Sequence, residues 1–152
     1  MRFRTLLACL GIGLGVMATT GAMPLRAADA GLTLRASKPE VKQEIVAVIE
    51  AQLAAFRKGD VAKAYDYAAS DLRAQKPLRN FSAIVKENYP EIWASTRAEP
   101  GIVRDDGMRA TVTVQVYSKT GDAAYDFTLV KEKAGWRVQG VLRHEPRKGG
   151  TV

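Results

Sequence analysis

A change of period near the middle of the chain does most to limit what it can fold into. Up to Tyr89 the apolar residues recur at offsets of three and four, the repeat of an amphipathic helix. From Trp93 onward they alternate with polar ones, the repeat of a half-buried strand. Helices first and strands afterwards, in a chain of 152 residues with room for one core, predict a single α+β domain. Its helices should cover one face of an antiparallel sheet.

The helical half is punctuated by its own residues. Ser37-Lys-Pro-Glu40 reads as a capping box with Pro39 in the first turn, and Val41, Ile45, Val48, Ile49, Leu53 and Phe56 then form one apolar stripe. Arg57 and Lys58 bring positive charge to the helix end. Gly59 supplies a left-handed closing residue, and Asp60 caps the next helix. That second helix is predicted to bury Val61, Ala64, Tyr65, Ala68 and Leu72 against the first. After Pro77, Asn80 is predicted to cap a third helix bearing Phe81, Ile84, Val85 and Tyr89, which Pro90 stops.

In the second half, Ala110, Val112, Val114 and Val116 point one way, while Thr111, Thr113, Gln115 and Tyr117 point the other. Ala123, Tyr125, Phe127 and Leu129 repeat the pattern, as do Trp136, Val138, Gly140 and Leu142. Asp106-Gly107 is a hairpin signal, so an earlier strand is expected over 95–104, interrupted at Pro100-Gly101. The domain should therefore occupy 37–144, with a flexible lead-in over 31–36 and a polar, disordered tail over 145–152.

Residues 1–30 have another character. Arg2 and Arg4 precede the apolar run Leu6 to Ala18, and small residues follow, the order of a secretory signal peptide. Ala28 and Ala30 place the preferred cleavage after Ala30; Ala27 and Ala22 are the alternatives. The run is interrupted by Gly11, Gly13 and Gly15 and is shorter than a membrane span of about 20 residues. The expected protein is thus periplasmic or secreted, with no stable span after cleavage. Cleavage would also remove Cys9, leaving a core that holds without disulfides.

Loss of Arg2, Arg4, Arg26 and Asp29 with the leader lowers the formal charge from +7 to +5. The basic residues that remain are interleaved with acids from Arg35 to Lys148, not gathered in a stripe, which argues against nucleic-acid binding. With one histidine and no mature cysteine, no zinc constellation can be assembled, and no cofactor fingerprint is present, so no cofactor is expected.

The stretch "IEAQLAAFRKGDVAKAYDYAASDLR", the "F…YPEIW" segment and the closing "GWRVQGV" resemble the bacterial domain of unknown function 4864 family. The resemblance covers roughly Glu40 to Leu142. It implies membership of the nuclear-transport-factor-2-like (SnoaL-like) superfamily, and with it a cone of helices over a curved sheet with an apolar pocket at the open end. That superfamily holds enzymes, binding modules and dimerisation domains alike, so the polar residues of this chain must decide among them.

Four residues are the candidate ligand contacts. Gln52 lies in the middle of the first helix's apolar stripe, where an amide needs a partner. Tyr65 lies on the inner face of the second helix, and the wheels bring its hydroxyl toward Gln52. Trp93 and Trp136 are placed to line the mouth. Asp66, Asp71 and Asp126 read as solvent-facing, and His144 as an exposed strand-end residue without an orienting group, so no catalytic residue is assigned. The leading expectation is an exported domain that binds a small apolar or amphipathic molecule, or serves as an accessory interaction domain, without catalysis. The alternatives are a lyase or isomerase working through Tyr65, Gln52 and an aspartate, and a structural dimerisation module. A homodimer would pair through the outer sheet face formed by Thr111, Thr113, Gln115, Tyr117, Thr128, Gln139 and Val141.

Overall fold

The computed structural model describes residues 33–145. The leader over 1–30 and the tail beyond Glu145 lie outside the described residues. The architecture is α+β, with helices against a curved, unclosed antiparallel sheet of six strands.

The helical stripe buries as its spacing predicts. In α1 (Pro39–Arg57), Ile45, Ile49 and Leu53 are fully buried and Phe56 nearly so, each contributing about 1.5–3 kcal/mol of transfer free energy. Gly59 takes the left-handed conformation at φ 72°, and the Asp60 carboxylate accepts the Lys63 N–H at 3.0 Å, so α2 (Val61–Asp66) starts where the Gly-Asp signal places it.

Three local expectations are corrected. Ser37 does not cap α1: its hydroxyl donates to Asp105, its N–H donates to Val103 O at 2.9 Å, and the cap position is Lys38. The same stretch is a strand rather than a loose lead-in, since β1 (Arg35–Ala36) pairs with β3 (Arg104–Asp105). A sheet edge with unpaired backbone groups recruited residues that carry no period of their own. Asn80 lies inside the first turn of α4 (Leu78–Asn88), which begins after Pro77.

The predicted second helix is also two. Between α2 and α3 (Ser70–Gln75) the chain extends through Ala68, which bridges in parallel to Val138. Ala69 N–H donates to Val138 O and Val138 N–H to Tyr67 O, both at 2.8 Å. These bonds satisfy the edge of the last strand, and Glu132 accepts the Ser70 N–H and hydroxyl, supplying the α3 start with a carboxylate.

A one-turn helix, α5 (Pro90–Trp93), leads into β2 (Ser95–Pro100), which pairs with β4 (Arg109–Ser118). The interrupted early strand and the turn at Asp106-Gly107 thus form as expected. β4 pairs with β5 (Gly121–Glu132) in continuous register, and β5 with β6 (Gly135–Arg143).

The last pairing holds the consequential departure. Leu129 opposes Val138 while Thr128 opposes Gly140, so Gln139 is an extra residue in β6. One extra residue inverts the faces of everything after it. Leu142, predicted inward, is 71% exposed, and Val141, predicted on the outer face, packs against the core.

Candidate functional site

Between α1, α3, α4 and the inner face of β5 and β6 lies a cavity of about 220 Å³. Its walls are largely apolar, with Phe56, Leu72, Phe81, Ile84, Phe127, Val138 and Val141 among the contributors. Helical spacing carries Phe81, Ile84 and Val85 onto one side, and strand alternation carries Phe127 and Val138 onto the other. Val141 arrives there because of the bulge.

Gln52 is the buried polar residue of the cavity, 4% exposed. Its Nε2 donates to Ala64 O at 3.1 Å, which fixes the amide's orientation, because a carbonyl accepts only from the NH₂ end. Among the described residues no donor reaches its Oε1. Tyr89 also contributes to the wall, but its hydroxyl is occupied with Val141 O at 2.9 Å. Lys76, exposed where the chain leaves α3, stands at the rim as the one charged lining residue among the described residues.

The other three candidates lie elsewhere. Tyr65 does not meet Gln52; its hydroxyl faces the carbonyls of Arg73 (2.8 Å) and Lys76 (2.7 Å) and so ties down α3. The break between α2 and α3 turns these carbonyls toward it. Trp93 packs its ring against Phe56 with centroids 6.0 Å apart. Trp136 is 2% exposed in the core beneath Lys131, whose ammonium lies 5.4 Å from the ring centroid. Neither tryptophan lines the cavity.

Two polar clusters that periodicity did not reveal flank the end of β6. Inside, Glu91 accepts from the Tyr125 hydroxyl at 2.5 Å and from Arg143 at 3.0 and 3.3 Å. Burial alone would raise the Glu91 pKa, but the hydrogen bonds from Tyr125, from the backbone and from Arg143 outweigh it and hold it below the usual carboxylate range. Tyr125 is pushed well above the ordinary phenol value, first by burial and then by the Glu91 carboxylate. Outside, Asp126 accepts from the Thr113 hydroxyl at 2.6 Å and pairs with His144 Nδ1 at 2.8 Å. Asp126 does face outward as predicted. His144, however, has the orienting partner that the sequence reading denied it, because the bulge carries it onto the Asp126 face. Burial acts to raise Asp126, and the bonds from Thr113 and His144 lower it on balance.

The class these features define is an α+β domain whose helices close an apolar cavity against a curved antiparallel sheet. The model of one family, described as "Domain of unknown function (DUF4864)", matches residues 38–151, and the chain belongs to that family. No curated protein matches it.

Proposed function

We propose that this chain is an exported domain that binds one small apolar or amphipathic molecule in the cavity beneath α4, without chemistry on it. The observation that carries the reading is a buried amide, Gln52, whose Oε1 has no donor among the described residues, in a largely apolar chamber. An acceptor so placed is costly unless a ligand or water meets it. The order of basic head, apolar run and Ala28-x-Ala30 supports export with cleavage after Ala30. Helices over a curved sheet with a pocket between them support the wider placement in the nuclear-transport-factor-2-like superfamily.

The lyase or isomerase alternative loses its preferred donor, because the Tyr65 hydroxyl is occupied with the backbone carbonyls of Arg73 and Lys76 and Tyr65 is not among the residues that line the cavity. A homodimer through the outer sheet face is a second reading, favoured by Ile102 and Leu142, which are 69% and 71% exposed there among threonines. Native mass spectrometry of protein from the cells that make it should reveal a retained small molecule and a mature chain beginning at Gly31. An Ile84→Trp variant, which fills the chamber from α4, should release that molecule. An empty wild-type protein, or a molecule that Ile84→Trp leaves in place, would count against the cavity as the binding site.

A further inference from the structure

We infer that the ligand of this cavity is a small amphipathic acid: a carboxylate at the Lys76 rim, an apolar body, and a hydrogen-bond donor at the far end for Gln52. The inference rests on the binding reading above and adds the polarity of the ligand at both ends.

Size comes first. A volume of about 220 Å³ is the liquid share of roughly seven water molecules, so one ring with a small substituent at each end fills the chamber. Phe56, Phe81 and Phe127 supply flat apolar walls suited to such a ring.

Charge comes second. Among the described residues Lys76 is the one charged residue of the lining, no carboxylate lines the chamber, and Lys76 takes part in none of the described ion pairs. A lone ammonium at the mouth of an apolar chamber attracts an anionic head and disfavours a cationic one, and the formal charge of +5 left after loss of the leader acts in the same direction.

Orientation comes third. One N–H of Gln52 is committed to Ala64 O, which fixes the amide and leaves Oε1 and the second N–H without a bond among the described residues. A hydroxyl suits both, donating to Oε1 and accepting from the N–H, so a ligand with its carboxylate outward carries its hydroxyl inward.

The test is calorimetric titration of the full chain and its Lys76→Gln, Gln52→Leu and Ile84→Trp variants with three probes. 4-Hydroxyphenylacetate carries both polar ends, phenylacetate lacks the donor, and 4-methylphenol lacks the carboxylate. The probe with both ends should bind tightest. Lys76→Gln should weaken the two carboxylates by about tenfold and leave 4-methylphenol unchanged. Gln52→Leu should weaken the two phenols several-fold and spare phenylacetate, and Ile84→Trp should abolish all binding. The inference is overturned if no probe binds, if 4-methylphenol binds as tightly as 4-hydroxyphenylacetate, or if Lys76→Gln changes neither carboxylate. In the last two cases, binding lost in Ile84→Trp would leave the cavity standing as a site for neutral ligands.

Discussion

Tyr125 and Asp126 are neighbours on β5, Arg143 ends β6 with His144 next to it, and between them they build the same unit on opposite faces of the sheet. In each, a carboxylate accepts from one hydroxyl and faces one basic side chain: Tyr125, Glu91 and Arg143 within; Thr113, Asp126 and His144 without. The chemistry is nearly matched and the depth is not. Tyr125 has no exposed surface and the Glu91 side chain is 11% exposed, with only Arg143 reaching solvent at 48%, whereas the side chains of Asp126 and His144 are 46% and 44% exposed. The difference teaches that position against solvent, rather than the set of partners, decides what such a cluster contributes. Inside, a lost partner leaves a polar group that water cannot reach; outside, water takes the vacant place.

The largest effect should come from breaking the comparison at its origin. Inserting one alanine between Gly140 and Val141 adds a step to the alternation that follows the bulge, so Arg143 and Val141 turn outward while Leu142 and His144 turn inward. Glu91 then loses its cation inside the fold, and the cavity loses part of its wall. The expected loss is about 2–5 kcal/mol, the range for emptying an aliphatic position in a core, with Arg143 adding little because its side chain is 48% exposed, read from the urea midpoint. An insertion within about 1 kcal/mol of wild type would mean that the count of residues after the bulge does not set the faces.

Next in size is the removal of one hydroxyl from the inner cluster. Tyr125→Phe keeps the ring, which packs 5.9 Å from Tyr89, and deletes only the donor to Glu91. A hydrogen bond to a charged group is worth about 1.5–3 kcal/mol, and equilibrium unfolding should return a loss in that range. Combined with Arg143→Met, it should show coupling above about 0.5 kcal/mol, because both residues act on one carboxylate.

Acidity sharpens the same contrast. The folded pKa of Glu91 lies below its ordinary value of 4.5, so its contribution is full above that value and is lost as the pH falls through the lower folded one. The difference in stability between wild type and Tyr125→Phe should hold from pH 6 to 8 and shrink on acidification below 4.5. Tyr125 itself is raised above its ordinary value of 10.0, so its contribution is full below that pH and is lost as the pH rises beyond it. Urea midpoints measured across pH check both limbs; a difference that grows on acidification would reverse the assigned sign.

How much of this was legible in the sequence follows from what periodicity records. It read the α1 stripe, the Gly59-Asp60 corner and the alternation of β4 and β5, because each residue there obeys one local repeat. It placed Gln52 correctly in the interior, since an amide in the stripe of a long helix has nowhere else to go. It failed where partners distant in sequence overrode the local pattern. Tyr65 turned to the carbonyls of Arg73 and Lys76 because the helix broke at Ala68 to satisfy the edge of β6. Arg143 and His144 exchanged faces through one residue whose only local trace is Gly140, a glycine inside a strand pattern, which marks bulges. Glu91 lies in a single turn of helix too short to show a period. The apolar half of the site was therefore readable, and the polar clusters beside it were not.

The smallest effect should come from the outer counterpart of Tyr125→Phe. Thr113→Val deletes a hydroxyl that donates to a carboxylate at 2.6 Å, nearly the inner distance, and keeps the branched shape that suits a strand. Thr113 is exposed, so water can replace it on Asp126, which also retains His144. The expected change is within about 0.5 kcal/mol, checked by the same urea titration as the inner variant. A loss matching that of Tyr125→Phe would say that this face is dry in solution. The way for an exposed sheet face to be dry is to be covered, so that result would turn attention to a second copy of the chain lying across Ile102 and Leu142. Light scattering of wild type and Thr113→Val at the same concentration would then decide it: a monomer in both would leave depth as the explanation to be abandoned, while a dimer would preserve depth and relocate the solvent boundary.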